Sequence, residues 1–131
     1  MPSVLVVDDR SSILDVLKMF LELQGYTVST CGNGEEVLGL VRNQMPDVIL
    51  LDLILPGKSG SEIIQELQTD PELTEIPVIA MTARNEIANE VATRVFACIM
   101  KPFDINDVQV LIEKALEARN SPSKIKQKEC K

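Results

Sequence analysis

The stretch from residue 47 to residue 60, DVILLDLILPGKSG, decides the fold. Val48, Ile49, Leu50 and Leu51 follow one another with no polar residue between them. A run that short and that uniformly apolar reads as a strand, residues 47–51, buried on both faces of a parallel sheet. Pro56 and Gly57 then signal a loop. Ser59 and Glu62 have the spacing of a capping box, which opens a helix running through Leu67. Strand, loop and helix in this order are half of a βαβ unit, and Asp52 is left at the carboxyl end of the strand.

The same unit recurs on both sides. Upstream, Ser3–Val7 (SVLVV) reads as a buried strand. Residues 10–24 carry Ile13, Leu14, Leu17, Phe20 and Leu21 at helical spacing, and Gly25 is placed to stop that helix. Residues 26–30 form a second, more polar strand that suits a sheet edge. Residues 34–43 form a helix with Val37, Leu38 and Val41 inward. Downstream, residues 77–81 (PVIAM) read as a strand, 86–95 as a helix and Ala97–Met100 as a short strand. Asp104 caps a last helix reaching about Arg119, with Ile105, Val108, Leu111, Ile112 and Leu116 on one side. Five strands alternating with five helices imply an α/β fold, (βα)5, whose parallel sheet is covered on both faces. No repeat, low-complexity segment or internal linker interrupts it.

Composition narrows the function. With 131 residues, 45% of them hydrophobic, the chain can bury a core without disulfides or metal. Aromatics are only 3%, too few for the stacking platforms of single-strand nucleic-acid binders. Residues 1–119 hold 9 Lys and Arg against 19 Asp and Glu, whereas residues 120–131 hold 4 Lys against 1 Glu. An acidic body argues against direct DNA binding. We expect residues 1–119 to be the domain and residues 120–131 a basic, flexible tail. Cys31, Cys98 and Cys130 match no metal or redox spacing, and an odd count suits a reducing cytoplasm. Neither a signal peptide nor a membrane span is expected, so the expected location is cytoplasmic. The complete absence of histidine excludes a histidine phosphodonor, a His-ligated metal site and a Ser-His-Asp hydrolase within the chain.

In open α/β sheets, ligands bind beyond the carboxyl ends of the strands. There the sequence places Asp8 and Asp9, Asp52, Thr82, and Lys101 followed by Pro102 and Phe103. Each alone has a plain explanation: Asp9 as a helix cap, Asp52 as a partner of loop amides, Thr82 as a turn residue, Lys101 as a solvated charge. Together they are harder to dismiss. Three clustered carboxylates repel, and Lys101 supplies one positive charge. A hard divalent cation with oxygen ligands would supply the rest, with Mg²⁺ the natural candidate. Such a site, with one carboxylate left to attack, suits phosphoryl transfer to an aspartate.

These residues resemble those of response-regulator receiver domains, over residues 3–118. The matching pieces are Asp8-Asp9, the segment from Asp52 to Gly60, Thr82-Ala83 and Lys101-Pro102-Phe103. The resemblance implies a single-domain, flavodoxin-like (CheY-like) fold of strand order 2-1-3-4-5 that acts in a two-component phosphorelay. Asp52 would accept a phosphoryl group from a phosphohistidine on a histidine kinase or histidine phosphotransferase. Asp8, Asp9, Asp52 and the backbone carbonyl of Ile54 would hold Mg²⁺. Thr82, the amide of Ala83 and Lys101 would bind the phosphoryl oxygens, and the Lys101–Pro102 bond would be cis. Such a protein promotes its own phosphorylation and dephosphorylation but is no conventional enzyme. Its output would be a shift of the face formed by the fourth helix, fifth strand and fifth helix, read by a downstream protein target or a phosphorylation-dependent dimer.

Two positions are less settled. The family usually carries Tyr or Phe three residues before the lysine, and this chain has Cys98 there. The nearest aromatic, Phe96, would share the strand face of Cys98 if the strand extended that far. A signal routed through the fourth helix itself, whose surface would carry Glu86, Ile87, Glu90, Val91 and Arg94, is therefore expected. Ile54 and Arg84, two residues beyond Asp52 and Thr82, occupy positions that tune loss of the phosphoryl group, and a long-lived phospho-form is expected. Three other readings compete. A pseudo-receiver that only binds partners would not need the complete acidic set. A haloacid-dehalogenase-like phosphatase needs a second Asp where Ile54 stands. A flavin-binding flavodoxin needs a phosphate loop where Asp8 and Asp9 would repel phosphate.

Overall fold

The computed structural model describes residues 2–120 and 129–130. In chain order the elements are β1 (Ser3–Val7), α1 (Ser11–Leu23), β2 (Thr27–Cys31), α2 (Gly34–Gln44), β3 (Val48–Asp52), α3 (Gly60–Thr69), β4 (Val78–Thr82), α4 (Asn85–Val91), β5 (Ala97–Met100), α5 (Ile105–Asn120) and β6 (Glu129–Cys130). The sheet order is β2-β1-β3-β4-β5-β6, and every neighbouring pair is parallel. The expected 2-1-3-4-5 arrangement is therefore present, with a two-residue strand added beside β5. The tail expected to be flexible falls mostly on residues 121–128 and 131, which lie outside the described residues.

Period-two alternation splits the core into two layers. Leu5, Val7, Ile49, Leu51 and Ala80 face α2, α3 and α4, where Val37, Val41, Ile63, Ile64, Leu67, Ala88 and Val91 meet them. Val4, Val6, Val48, Leu50, Ile79 and Met81 face α1 and α5, where Leu17, Leu21, Val108, Leu111, Ile112 and Ala115 meet them. Every residue of β3 and of β4 is buried, as an uninterrupted apolar run requires. Truncating a residue such as Leu50 to Ala would cost about 2–5 kcal/mol. β2 has exposed Thr27 and Thr30 and sits at the sheet edge.

The boundaries differ from expectation in an informative way. β2, β3 and β4 each run one residue further, because Cys31, Asp52 and Thr82 remain in register with neighbouring strands. The functional carboxylate and hydroxyl are thus held by the ladder itself. The helix expected over 86–95 ends at Val91. There the Arg94 N–H donates to the Val91 carbonyl in a tighter turn, and the Phe96 N–H already donates to Val78. Val91, expected on the surface of that helix, is buried in the core. The Ser59–Glu62 capping box is present. The Asp104 side chain accepts from the Asn106 N–H at 2.8 Å. Among the described residues no helix is long and apolar enough to cross a membrane.

Candidate functional site

Asp8 follows the last residue of β1, and its N–H donates to the Cys31 carbonyl at 3.0 Å. It is fully buried, which a carboxylate tolerates only with partners. The Arg10 N–H donates to Asp8 Oδ1 at 2.9 Å, and Lys101 Nζ donates to Oδ2 at 2.6 Å. Asp52, at the end of β3, is 5% exposed. Its Oδ1 accepts from the Ile54 N–H at 3.0 Å and its Oδ2 from Lys101 Nζ at 2.9 Å. One ammonium thus bridges two buried carboxylates. Asp9 is exposed, yet a carboxylate oxygen from each of Asp8, Asp9 and Asp52 can be chosen so that all lie within 4.8 Å of one another. Asp9 does not cap α1, whose N-cap is Arg10 with no side-chain bond.

Burial pushes the Asp52 carboxyl above its ordinary value, and the nearby Asp8 charge adds to this. The Ile54 amide and Lys101 pull the other way without cancelling it. Burial would lower Lys101, but its hydrogen bonds and charge pairing with Asp8 and Asp52 hold the ammonium above its usual range. Three carboxylates against one ammonium leave a site short of positive charge. The donor set, all hard oxygens, fits a magnesium ion.

Thr82 ends β4 and is buried, with Oγ1 accepting the Arg84 N–H at 3.2 Å. Ala83 and Arg84 are exposed beside it. The Lys101–Pro102 bond is cis. The structure therefore gathers Asp8, Asp9, Asp52 and Lys101 at one edge, with Thr82, Ala83 and the Ile54 backbone on the adjoining strand ends. A cavity of about 300 Å³ lies at the opposite end of the sheet, lined by Leu73, Ile76, Pro77, Phe96 and Arg119 among others. It touches none of these groups.

Cys98 lies elsewhere. It is buried in the layer shared with α4, and its Sγ donates to the Ala88 carbonyl at 3.9 Å. Phe96 precedes the strand and packs against the opposite layer. The condition for Phe96 to share a face with Cys98 is not met: β5 begins at Ala97, so strict alternation does not extend to residue 96.

The loop amide expected on Asp52 is that of Ile54. Sequence reasoning missed the Arg10 amide on Asp8, which carries no side-chain signal. Nor did the chain announce that Gly34 supports the site loop. The Gly34 N–H donates to the Pro56 carbonyl at 3.1 Å, and a Cβ there would collide with the Lys58 carbonyl oxygen. Only glycine lets α2 press this closely on the β3–α3 loop.

Comparison with known proteins agrees with this fold. The response regulator receiver domain family matches residues 4–113. The phosphate regulon transcriptional regulatory protein PhoB of Rhizobium meliloti is 33% identical over 93% of this chain and 55% of its own length. The probable transcriptional regulatory protein TcrX of Mycobacterium tuberculosis is 32% identical over 81% of this chain and 46% of its own. The chain thus spans about half the length of these curated relatives. A solved CheY-like response regulator receiver domain protein from Methanospirillum hungatei superposes with a TM-score of 0.85 at 26% identity, covering 93% of this chain and 98% of that one.

Proposed function

Because the chain belongs to the response regulator receiver domain family of two-component systems, we propose that Asp52 accepts a phosphoryl group from a phosphohistidine on a histidine kinase or histidine phosphotransferase. The observation that carries this reading is the setting of Asp52: a buried carboxylate clamped by Lys101 and the Ile54 amide, within a cluster of three aspartates.

Asp8, Asp9, Asp52 and the Ile54 carbonyl would hold Mg²⁺. When bound, the ion supplies positive charge for the oxygens of the transferring group. The chain's own residues do the rest. A carboxylate oxygen of Asp52 forms a bond to phosphorus as the phosphorus–nitrogen bond of the phosphohistidine breaks. The electron pair of that bond stays with the imidazole nitrogen. Lys101 exchanges a carboxylate contact for a phosphoryl oxygen and stabilises charge that develops there. Thr82 accepts from Arg84 and so keeps its own hydrogen to donate to a second oxygen. The amide of Ala83 is offered to another.

The product carries more negative charge than the carboxylate it replaces. Thr82 and the loop after it move toward that charge, and the equilibrium of the face formed by α4, β5 and α5 shifts. Cys98 is bonded to the α4 carbonyl of Ala88, which supports α4 as the relay. Chemical shifts should respond to phosphorylation more strongly on α4 than on β5 and α5; an equal response would contradict this route. Exposed Ile54 and Arg84 flank the site and support a long-lived phospho-form. A half-life of seconds would contradict that.

In this reading residues 1–119 form the receiver, which works in the cytoplasm without touching DNA or membrane itself. It passes the signal to a downstream protein target or to a second copy of itself. Incubation with a small phosphodonor tests the proposal: labelling should require Mg²⁺ and vanish in Asp52→Ala. An unlabelled native protein would indicate a partner-binding module that does not turn over phosphate.

A further inference from the structure

The two edges of the sheet are protected differently. β2 carries exposed Thr27 and Thr30 and half-buried Ser29, polar groups that discourage a foreign strand. β5 is Ala-Cys-Ile-Met, with no charge, no proline and three buried residues. Bare, it would be an apolar edge open to strand addition. It is not bare. The chain leaves α5 at Asn120 and re-enters the sheet at Glu129, pairing Ala97 with Glu129 and Cys98 with Cys130 in parallel.

We propose that the β5 edge is an interaction surface whose resting occupant is the chain's own β6. Glu129 and Cys130 strap the edge shut and keep a second copy of the chain from adding a strand there. The strap is held by backbone pairing of Glu129 and Cys130 with Ala97 and Cys98. Edge occupancy is a property of the folded chain and does not depend on phosphoryl chemistry at Asp52.

Backbone hydrogen exchange on the 131-residue chain, with no phosphodonor present, tests this separately from the phosphorylation reading. The Phe96 N–H points to β4. By alternation the amides of Ala97 and Ile99 point to the outer edge. In a Glu129→Pro/Cys130→Pro variant these two amides should exchange roughly tenfold faster, while Val6 in central β1 stays as slow as before and reports an intact fold. Sedimentation at matched concentration should show the proline variant self-associating and the native chain monomeric. Equal exchange at Ala97 and Ile99 in native and proline variants, or a proline variant as monomeric as the native chain, would overturn the proposal.

Discussion

The pocket around Asp52 and the packing around Cys98 are served by neighbouring strands yet built on opposite principles. The first is ionic. Two buried carboxylates share one lysine, and each also takes a backbone amide. The second is apolar, with Cys98 sunk among Ala80, Ala88 and Val91 and one long sulfur contact to α4. Charged groups in a buried pocket have few acceptable partners, so their identities constrain one another. Apolar packing accepts many side chains of similar volume. The comparison teaches that the chemistry is fixed by residue type, whereas the relay is fixed by shape.

Lys101→Met should break the ionic side most severely. Losing one charge-stabilising donor should lower the rate of phosphoryl acceptance by about 10²–10³. It also leaves Asp8 and Asp52 buried without their counter-charge, at a cost of about 3 kcal/mol in thermal unfolding. Should labelling stay near the native rate, the pocket would not work as described.

Magnesium sharpens the same side. At one hundred times its Kd, the ion should stabilise the native chain by about 2.7 kcal/mol, read as a rise in melting temperature. Asp9 is exposed, so Asp9→Asn should change the metal-free stability by no more than about 0.5 kcal/mol while removing most of that gain. A full magnesium response in Asp9→Asn would remove Asp9 from the ligand set.

Gly34→Ala links the pocket to its scaffold. The new Cβ meets the Lys58 carbonyl, and relieving that contact should cost about 1–3 kcal/mol and displace the loop that carries Ile54. Denaturant unfolding and the Ile54 amide shift report the two effects. An unchanged melt would mean that the loop yields freely.

Cys98→Ala should have the smallest effect, about 1 kcal/mol. Labelling at Asp52 should be unchanged, while the phosphorylation-dependent shifts on α4 shrink. If labelling fell as in Lys101→Met, the separation of chemistry from relay would be wrong.

Much of this was legible in the sequence, for the reason the comparison gives. Four of the five long strands are built on uninterrupted apolar runs and β2 is a more polar edge strand, so all five were visible along with their order of appearance. Asp8, Asp9, Asp52, Thr82 and Lys101 were visible because charged and hydroxyl residues at successive strand ends stand out against apolar neighbours. The Arg10 amide on Asp8 was invisible, since every residue has one. Val91 was misplaced and the face of Phe96 was left open because both depend on where α4 stops and β5 starts, which a turn at Arg94 decides. β6 has two residues, too short for any periodicity to register.

The central claim concerns one carboxylate. Intact-protein mass spectrometry after treatment with a small phosphodonor, with and without magnesium, tests it most directly. The account predicts a single added phosphoryl group on the native chain, dependent on magnesium, mapped to Asp52 and absent from Asp52→Asn. A phosphoryl group that persists in Asp52→Asn, or a native chain that takes up none with magnesium present, would contradict it.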